Sequence, residues 1–363
     1  MCAWALYVSL LPNESISSWM IRAALAQGCD PLVLTGWVWP RWRAWTLDLD
    51  RGLGADRLAI LSRVSGVSAT RFEQASLRPR VELIAGHRLE DSGTWPWVLA
   101  LGSRNRKRAA GIQYCPVCLS DDARPYFRKD WRFAWQTACL IHQARLLDRC
   151  CSCSALVEPQ RLQAVDRHLA LCVECKADLR SAQRLPINQM TRNFQISAEG
   201  VLNNSSGLYD TQLLAVHEWF AVARFFVGLV RYYVRNENSS ISKALRELRV
   251  PITLENSPLF SMPLELLSPV HREILFASVS ELMTFSRADL FSALNSAGVT
   301  VNSLQAVSGT LPPGLSKVTD RLPVNKRMIR TKRGCRSVEP KSKRSVLMAC
   351  ARLRRKVGLP SDG

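Results

Sequence analysis

The pattern of hydrophobic and polar positions predicts a first helix near the N-terminus. Asn13 or Ser15 is a suitable N-cap, and the apolar side chains that follow stand three and four residues apart. Gly28 suits the end of such a helix. The apolar positions of this helix are Ile16, Trp19, Met20, Ala23 and Ala24.

Residues 57–77 show helical spacing twice, with a break at Gly66 between the two runs, and Ser68 is a suitable N-cap for the second run. This punctuation is typical of a helix-turn-helix unit, whose second helix reads DNA. An ordinary helical hairpin fits the same pattern, so both interpretations stay open here. The candidate DNA contacts are Thr70, Arg71 and Gln74 on the outward face, and Arg78 and Arg80 near the phosphates.

The second half of the chain is predicted to be helical after a polar loop at 197–207. Its apolar stretch from Leu213 to Val234 carries His217, Glu218, Arg224 and Arg231, which a membrane span tolerates poorly, so it indicates a core helix. The predicted helices are Thr211 to Arg235, Ile241 to Arg249, Pro269 to Thr284 and Ser286 to Ala297.

Four closely spaced pairs of cysteine or histidine lie within about sixty residues, which favours two tetrahedral zinc sites, or two Zn²⁺ per chain. Taken in sequence order, the first two pairs form one site and the last two form the other. A cross-brace of the first pair with the third, and a disulfide framework, are the alternatives. The pairs are Cys115 with Cys118, Cys139 with His142, Cys150 with Cys153, and Cys172 with Cys175. Cys151 breaks the spacing and is interpreted as a spare thiol.

Charge points to a polyanionic partner. Lys and Arg total 49 against 30 Asp and Glu, which gives a net charge of +19, and nucleic acid is the default partner of such a chain. Fourteen of the basic residues lie from Arg321 onward, opposed by two acidic ones. The tail contacts predicted for DNA phosphates are Arg327, Arg330, Lys332 and Arg333. A solvated, disordered tail is the alternative.

The segment Trp37–Trp45 interleaves tryptophans with Arg41 and Arg43. Such rings stack on nucleic-acid bases when they are exposed, and more often they anchor a core. No secretory signal is recognisable, so we expect a cytoplasmic protein with no membrane association.

The expected fold class is mainly α, with small zinc-finger or zinc-ribbon β elements, in two to three modules and a tail. A basic linker with Arg104, Arg106, Lys107 and Arg108 marks the first boundary. The expected parts are an N-terminal helical domain with the helix-turn-helix (1–105), a double zinc region (106–186), a helical C-terminal domain (187–320) and a basic tail (321–363).

Three stretches resemble the TniQ family of transposon target-selection proteins. They are Leu11-Pro12-Asn13-Glu14-Ser15 through Arg22, Tyr114-Cys115-Pro116-Val117-Cys118 through Asp148, and Cys172-Val173-Glu174-Cys175 through Arg180. The chain departs from the family pattern at Cys151, where proline is frequent, and at Ser154, where glycine is usual. No motif of the family is placed after residue 186.

The resemblance implies an N-terminal helix-turn-helix, a double zinc region and a helical C-terminal part. It also implies a bacterial, nucleoid-associated adaptor that contacts target DNA, or dimerises on an RNA-guided surveillance complex, and recruits an AAA+ transposition regulator and its transposase. A stand-alone DNA-binding regulator is the alternative function. An enzyme is disfavoured, because the adjacent Asp121 and Asp122 point in different directions on most backbones and no nucleophile or nucleotide motif is present.

Overall fold

The computed structural model describes residues 3–101, 112–252 and 262–325, together with Ser342 and Met348. Met1–Leu322 forms one compact unit, and Pro323–Gly363 is a second unit. The first unit is mainly helical, and its strands form two small antiparallel pairs, as the expected fold class requires.

Five helices precede the cysteine-rich region: α1 (Ile16–Ala26), α2 (Pro31–Val38), α3 (Ala55–Ser65), α4 (Ala69–Ala75) and α5 (Arg78–Ala85). The cysteine-rich region holds α6 (Pro116–Asp121), β1 (Ala138–Cys139) and β2 (Ala144–Arg145). The C-terminal part holds α7 (Gln189–Asn203), β3 (Ser206–Tyr209), β4 (Gln212–Ala215), α8 (Val216–Arg235), α9 (Ser240–Glu247), α10 (Pro269–Leu282), α11 (Arg287–Ser296), α12 (Val301–Ser308) and α13 (Ser316–Thr319).

Helix α1 lies at the centre of the N-terminal part and confirms the first predicted helix. The hydroxyl of Ser15 accepts a hydrogen bond from the backbone N–H of Ser18, so Ser15 is the N-cap. Trp19 is fully buried, and its ring meets Phe72 edge-on at 4.8 Å between centroids. This contact joins α1 to α4, since Phe72 is the buried anchor of that helix.

The predicted sequence of helix, turn at Gly66 and second helix is also confirmed. Helix α3 ends at Gly66, which has a φ of +72°. Only glycine adopts this left-handed conformation without strain, so the turn occurs where the sequence places it. Ser68 then takes the N-cap position of α4, although its side chain makes no capping bond.

The predicted loop at 197–207 is wrong, because α7 continues to Asn203. Phe194, Ala198 and Val201 lie on one face of α7 and pack into the C-terminal core, and this burial outweighs the polar residues on the opposite face. Only residues 204 and 205 turn before β3 begins.

The helix predicted to begin at Thr211 begins at Val216 instead. Residues Gln212–Ala215 pair with Ser206–Tyr209 as an antiparallel hairpin. A Cβ atom at Gly207 would lie 2.3 Å from Val201 and 2.9 Å from Trp219, so the hairpin approaches α7 and α8 closely only because residue 207 is glycine. Helical periodicity could not show this, since it does not report strand pairing.

The remaining predicted helices agree with α9, α10 and α11 to within about two residues at each end, which is the usual uncertainty of a helix boundary. In the described part of the chain, no helix is long and apolar enough to cross a membrane.

Three clusters of buried apolar residues lie within the first unit. The first is built from residues 8–75, and the second from Ile21 and residues 112–182. The third joins residues 77–99 and 133–135 to the helices after residue 194. The expected boundary near residue 105 lies outside the described residues, but α5 already packs against α8 in the third cluster.

A buried ionic cluster joins the cysteine-rich region to the N-terminal part. The guanidinium of Arg132, only 2% exposed, contacts the carboxylates of Asp48 and Asp50. Asp50 also accepts hydrogen bonds from the N–H of Ser17, at 2.7 Å, and from its hydroxyl, at 2.9 Å. Burial raises the pKa of the Asp50 carboxyl, whereas Arg132 lowers the pKa of Asp48 against the effect of burial.

We predict that Arg132→Ala destabilises the protein by about 3–5 kcal/mol, because it leaves two buried carboxylates without their cation. Arg88→Ala is the matched control, since Arg88 is an exposed arginine, and we expect it to change stability by less than about 0.5 kcal/mol. Denaturant unfolding of both variants measures the difference. Equal unfolding midpoints for the two variants would contradict a structural role for this cluster.

Candidate metal centres and nucleic-acid interface

The first cluster brings together the ligand atoms of Cys115, Cys118, Cys139 and His142, which all lie within 4.8 Å of one another. The Nδ1 atom of His142 is 3.6 Å from Cys115 Sγ, 3.2 Å from Cys118 Sγ and 3.5 Å from Cys139 Sγ. The sulfurs of Cys118 and Cys139 are 3.6 Å apart. Helix α6 carries Cys118, and the β1–β2 hairpin carries Cys139 and His142 in its strand and turn.

The second cluster brings together Cys150, Cys153, Cys172 and Cys175, also within 4.8 Å of one another. Cys150 Sγ lies 3.6 Å from Cys175 Sγ, and Cys153 Sγ lies 3.6 Å from Cys172 Sγ. Both clusters therefore join consecutive pairs. This is the sequential arrangement, and the cross-brace is not the arrangement of this chain.

The spacing of the ligand atoms fits zinc. Four sulfurs at about 2.3 Å from one ion, at the corners of a tetrahedron, are about 3.8 Å from each other. The sulfur–sulfur separations of 3.6 Å seen in the two clusters lie close to that value. Each cluster supplies four ligands, which fills a tetrahedral site and leaves no position for a reactive water.

The backbone conformation after each ligand pair explains how both side chains of a pair reach the same point. The residue directly after the second ligand has a left-handed φ in three of the four pairs: Gln143 at +52°, Ser154 at +59° and Lys176 at +61°. Ser154 stands where glycine is usual in the resembling family, and it keeps the conformation that glycine favours. The turn is therefore retained at a small cost in backbone strain.

At the second cluster, protons compete with a metal ion more strongly at Cys172 than at Cys175, because the two thiols differ in pKa. Burial raises the pKa of the Cys172 thiol to about 12. The backbone N–H of Ala177 donates to the Cys175 sulfur and, with neighbouring thiols, lowers its pKa to about 7. A cation must displace a proton from Cys172 at neutral pH, so metal affinity falls as pH falls.

Asp121 supports the first cluster and was missed in the sequence. Its carboxylate lies 3.0 Å from Nε2 of His142, which leaves Nδ1 directed at the three sulfurs. A carboxylate behind a ligating histidine fixes the tautomer and orientation of the ring. The available signal was its position three residues after Cys118 on one helix. Its neighbour Asp122 instead pairs with Arg128 at 2.6 Å, so the two carboxylates have separate partners.

The outward face of α4 carries the predicted DNA-reading residues. Thr70, Arg71 and Gln74 are exposed. Arg71 also donates a hydrogen bond of 2.8 Å to the carbonyl of Leu10, which ties its guanidinium to the segment before α1. Among the described residues, the Gln74 side chain makes no hydrogen bond.

Arg78 and Arg80 differ from their predicted role, since both are partly buried in ion pairs within the protein. Arg78 pairs with Glu82 and Asp91. Arg80 contacts Asp130 at 2.7 Å and Glu199 at 3.5 Å, and so links α5 to the cysteine-rich region and to α7. These carboxylates already neutralise the two arginines, and sequence proximity to α4 could not reveal them. Arg327, Arg330, Lys332 and Arg333 lie outside the described residues.

Lys129 is a second residue that sequence reasoning missed. Its ammonium donates a hydrogen bond of 2.6 Å to the carbonyl of Gln74, near the end of α4 where the helix leaves carbonyls unpaired. The next residue, Asp130, accepts hydrogen bonds from Asn13 and Arg80. The segment between the two ligand pairs of the first cluster thus holds α4 by its end.

Zinc analysis tests the two clusters separately. We predict two zinc ions per wild-type chain, one in Cys139→Ser and one in Cys172→Ser, because each substitution removes a ligand from one cluster. Cys151→Ser is the matched control, because Cys151 is exposed and its sulfur lies 3.8 Å from the Ser181 hydroxyl, outside both clusters. Elemental analysis of folded protein gives the count. A loss of zinc from Cys151→Ser would show that the ligand sets are assigned wrongly.

Comparison with known proteins gives one match. The TniQ family model matches residues 5–146, and the curated proteins contain no match to the chain. The matched range includes α1–α6 and all four ligands of the first cluster, and it ends before Cys150, the first ligand of the second cluster. Residues 5–146 are therefore a TniQ domain, and the chain carries this domain in its N-terminal part.

Proposed function

We propose that this protein is a non-catalytic target-selection adaptor of DNA transposition, which binds DNA through its helix-turn-helix and recruits an AAA+ transposition regulator. The observation that carries this proposal is the α3–α4 unit inside the TniQ domain, with Thr70, Arg71 and Gln74 exposed on the second helix. Side chains at these positions of a recognition helix reach base edges in the major groove.

The division of labour follows from chemistry. Base-edge contacts by Arg71 and Gln74 supply sequence preference, since arginine pairs with guanine and glutamine with adenine. The basic tail supplies affinity that depends on salt and not on sequence. Arg78 and Arg80 hold the α4–α5 segment in place through their carboxylate partners, so we assign them a smaller share of the phosphate contacts than the basic tail.

The metals act as scaffold in this proposal. Zinc bound at each cluster closes the loops of the cysteine-rich region and supplies folding free energy. Because four protein ligands fill each site, neither metal activates water. The engagement of Asp121 with His142 and of Asp122 with Arg128 supports the same conclusion, since both carboxylates already have partners within the fold.

The partners are proposals drawn from the family. An AAA+ ATPase and its transposase are the expected recipients of the bound target. A homodimer seated on an RNA-guided surveillance complex is the alternative route to the target.

We predict that Arg71→Ala and Gln74→Ala each weaken binding to a preferred DNA site by about tenfold, because a base contact is worth about 1–3 kcal/mol of discrimination. Both variants should bind random DNA with nearly the same affinity as the wild-type protein. Selection from a randomised duplex pool identifies the preferred site, and fluorescence anisotropy then measures both affinities at one salt concentration.

Arg184→Ala is the matched control for charge, because Arg184 is exposed and lies far from α4 in sequence, after the last zinc ligand. This substitution should lower the affinity for preferred and for random DNA slightly and by the same factor. An equal loss on preferred and random DNA for Arg71→Ala and Gln74→Ala would remove α4 from the sequence readout.

Capture of partners separates the adaptor from a stand-alone regulator. We expect the immobilised full chain to retain an AAA+ ATPase of the transposition-regulator type, in a manner that depends on ATP and DNA. Retention of DNA without any ATPase would favour the stand-alone regulator.

A further inference from the structure

A cleft of about 540 Å³ lies beside the start of α3. Its walls come from the segment between α2 and α3, from residues 91–94 and from residues 100–101. The helix-turn-helix readout does not use this cleft. Its volume is in the range of small-molecule sites in proteins, which is about 300–1,000 Å³.

Two of the four tryptophans in the segment Trp37–Trp45 line this cleft, and the other two do not. Trp39 is buried, and Trp37 is 45% exposed but does not line the cleft. Trp42 and Trp45 are half-buried and do line it. Neighbours hold both rings in place: Trp42 meets Trp39 edge-on at 4.9 Å, and Trp45 Nε1 donates to the carbonyl of Pro31 at 3.2 Å.

One arginine of the cleft, Arg57, is less neutralised than the cleft's two carboxylates. Asp48 is paired with Arg132, and Asp91 is paired with Arg78. By contrast, the guanidinium of Arg57 lies 4.2 Å from the centre of the Trp42 ring and makes no ion pair among the described residues.

Arg51 adds a second, partly satisfied cation. Its Nη1 donates to the carbonyl of Gly93 at 2.8 Å, but its Nε atom is buried without a hydrogen-bond partner in the described part of the chain. That nitrogen lies 3.7 Å from Asp48 Oδ2, which is beyond hydrogen-bond distance. The Arg51 side chain lines the cleft and is 17% exposed, so the outer part of its guanidinium offers a cationic contact to an anionic ligand.

Helix α3 also begins at this wall. Its N-cap is Gly54, which lines the cleft and offers no side-chain cap, so the first backbone N–H groups of α3 lack a side-chain acceptor. Planar rings, one arginine without an ion pair among the described residues and a helix N-terminus in one cleft match a ligand that has both a flat aromatic part and an anionic part.

We propose that this cleft binds one unpaired nucleotide, with the base against Trp42 or Trp45 and the phosphate at Arg57 and Arg51. The proposal rests on the proposed function in one respect, since the nucleotide belongs to the DNA that the α3–α4 unit holds. The site recognises a single-stranded or extruded base beside the duplex, and therefore a distorted or interrupted target. A free nucleotide has the same chemistry and is the second source that the experiment must distinguish.

Two DNAs of identical duplex sequence test the cleft, one fully paired and one with a short unpaired tail. Zinc-loaded full chain is titrated with each DNA by fluorescence anisotropy. Wild type should bind the tailed DNA about tenfold more tightly, as expected for one stacked base. Trp42→Leu and Arg57→Ala should abolish this preference, and Trp42→Phe should retain most of it because an aromatic ring remains.

Matched controls keep the outcome specific. Arg63→Ala removes an exposed arginine from the same helix, and Trp37→Leu removes an exposed tryptophan from the same segment; neither residue lines the cleft. Both controls should keep the tenfold preference. An equal affinity of wild type for the two DNAs, or a preference that survives both cleft substitutions, overturns the proposal.

A titration with deoxyadenosine monophosphate distinguishes this proposal from the proposed function. If the protein binds neither DNA, the DNA-binding function fails, but the cleft is still tested by quenching of tryptophan fluorescence. If the nucleotide quenches the fluorescence of wild type, and Trp42→Leu and Arg57→Ala each remove this quenching, the cleft is a nucleotide site whose ligand is the free nucleotide. No quenching in a protein that binds neither DNA overturns it.

Discussion

The structure depends on two four-ligand clusters that fix a region with almost no regular secondary structure. Between residues 112 and 182, that region has one six-residue α-helix, four 3₁₀ helices of three residues each and two strands of two residues each. Elements this short supply few backbone hydrogen bonds, so the shape of the region depends on its buried apolar cluster and on the two ligand sets, which bound metal would fix further. Both helical parts of the molecule pack against the region, and their positions therefore depend on the clusters.

Two buried arginines connect the cysteine-rich region to the N-terminal part and to the C-terminal part. Arg132 reaches Asp48 and Asp50 in the N-terminal part. On the other side, Arg272 of α10 is fully buried and donates to the carbonyl of Ala134 and, at 2.6 Å, to the side chain of Gln113. Burial lowers the pKa of Arg272 to about 10. A buried cation held by fixed oxygens tolerates little movement, so these contacts align the three apolar clusters.

The same region also places the candidate DNA-reading head. Lys129 binds the end of α4, and Asp130 binds Arg80 at the start of α5. A recognition helix held at its end presents its outward side chains in a fixed direction, which base readout requires. The cleft beside α3 lies on the same N-terminal part, so the proposed duplex contact and the proposed nucleotide contact would share one support.

The sequence alone determined the local and the chemical features. Helical spacing and the cap at Ser15 gave α1, Gly66 gave the turn before α4, and pair spacing gave the ligand sets, because each is decided by residues close together in the chain. Tertiary structure decided the rest. The hairpin at Gly207, the ion pairs that occupy Arg80, and the bond from Lys129 to α4 join residues far apart in the sequence. No local periodicity records such contacts, since packing and charge pairing are settled only when distant segments meet.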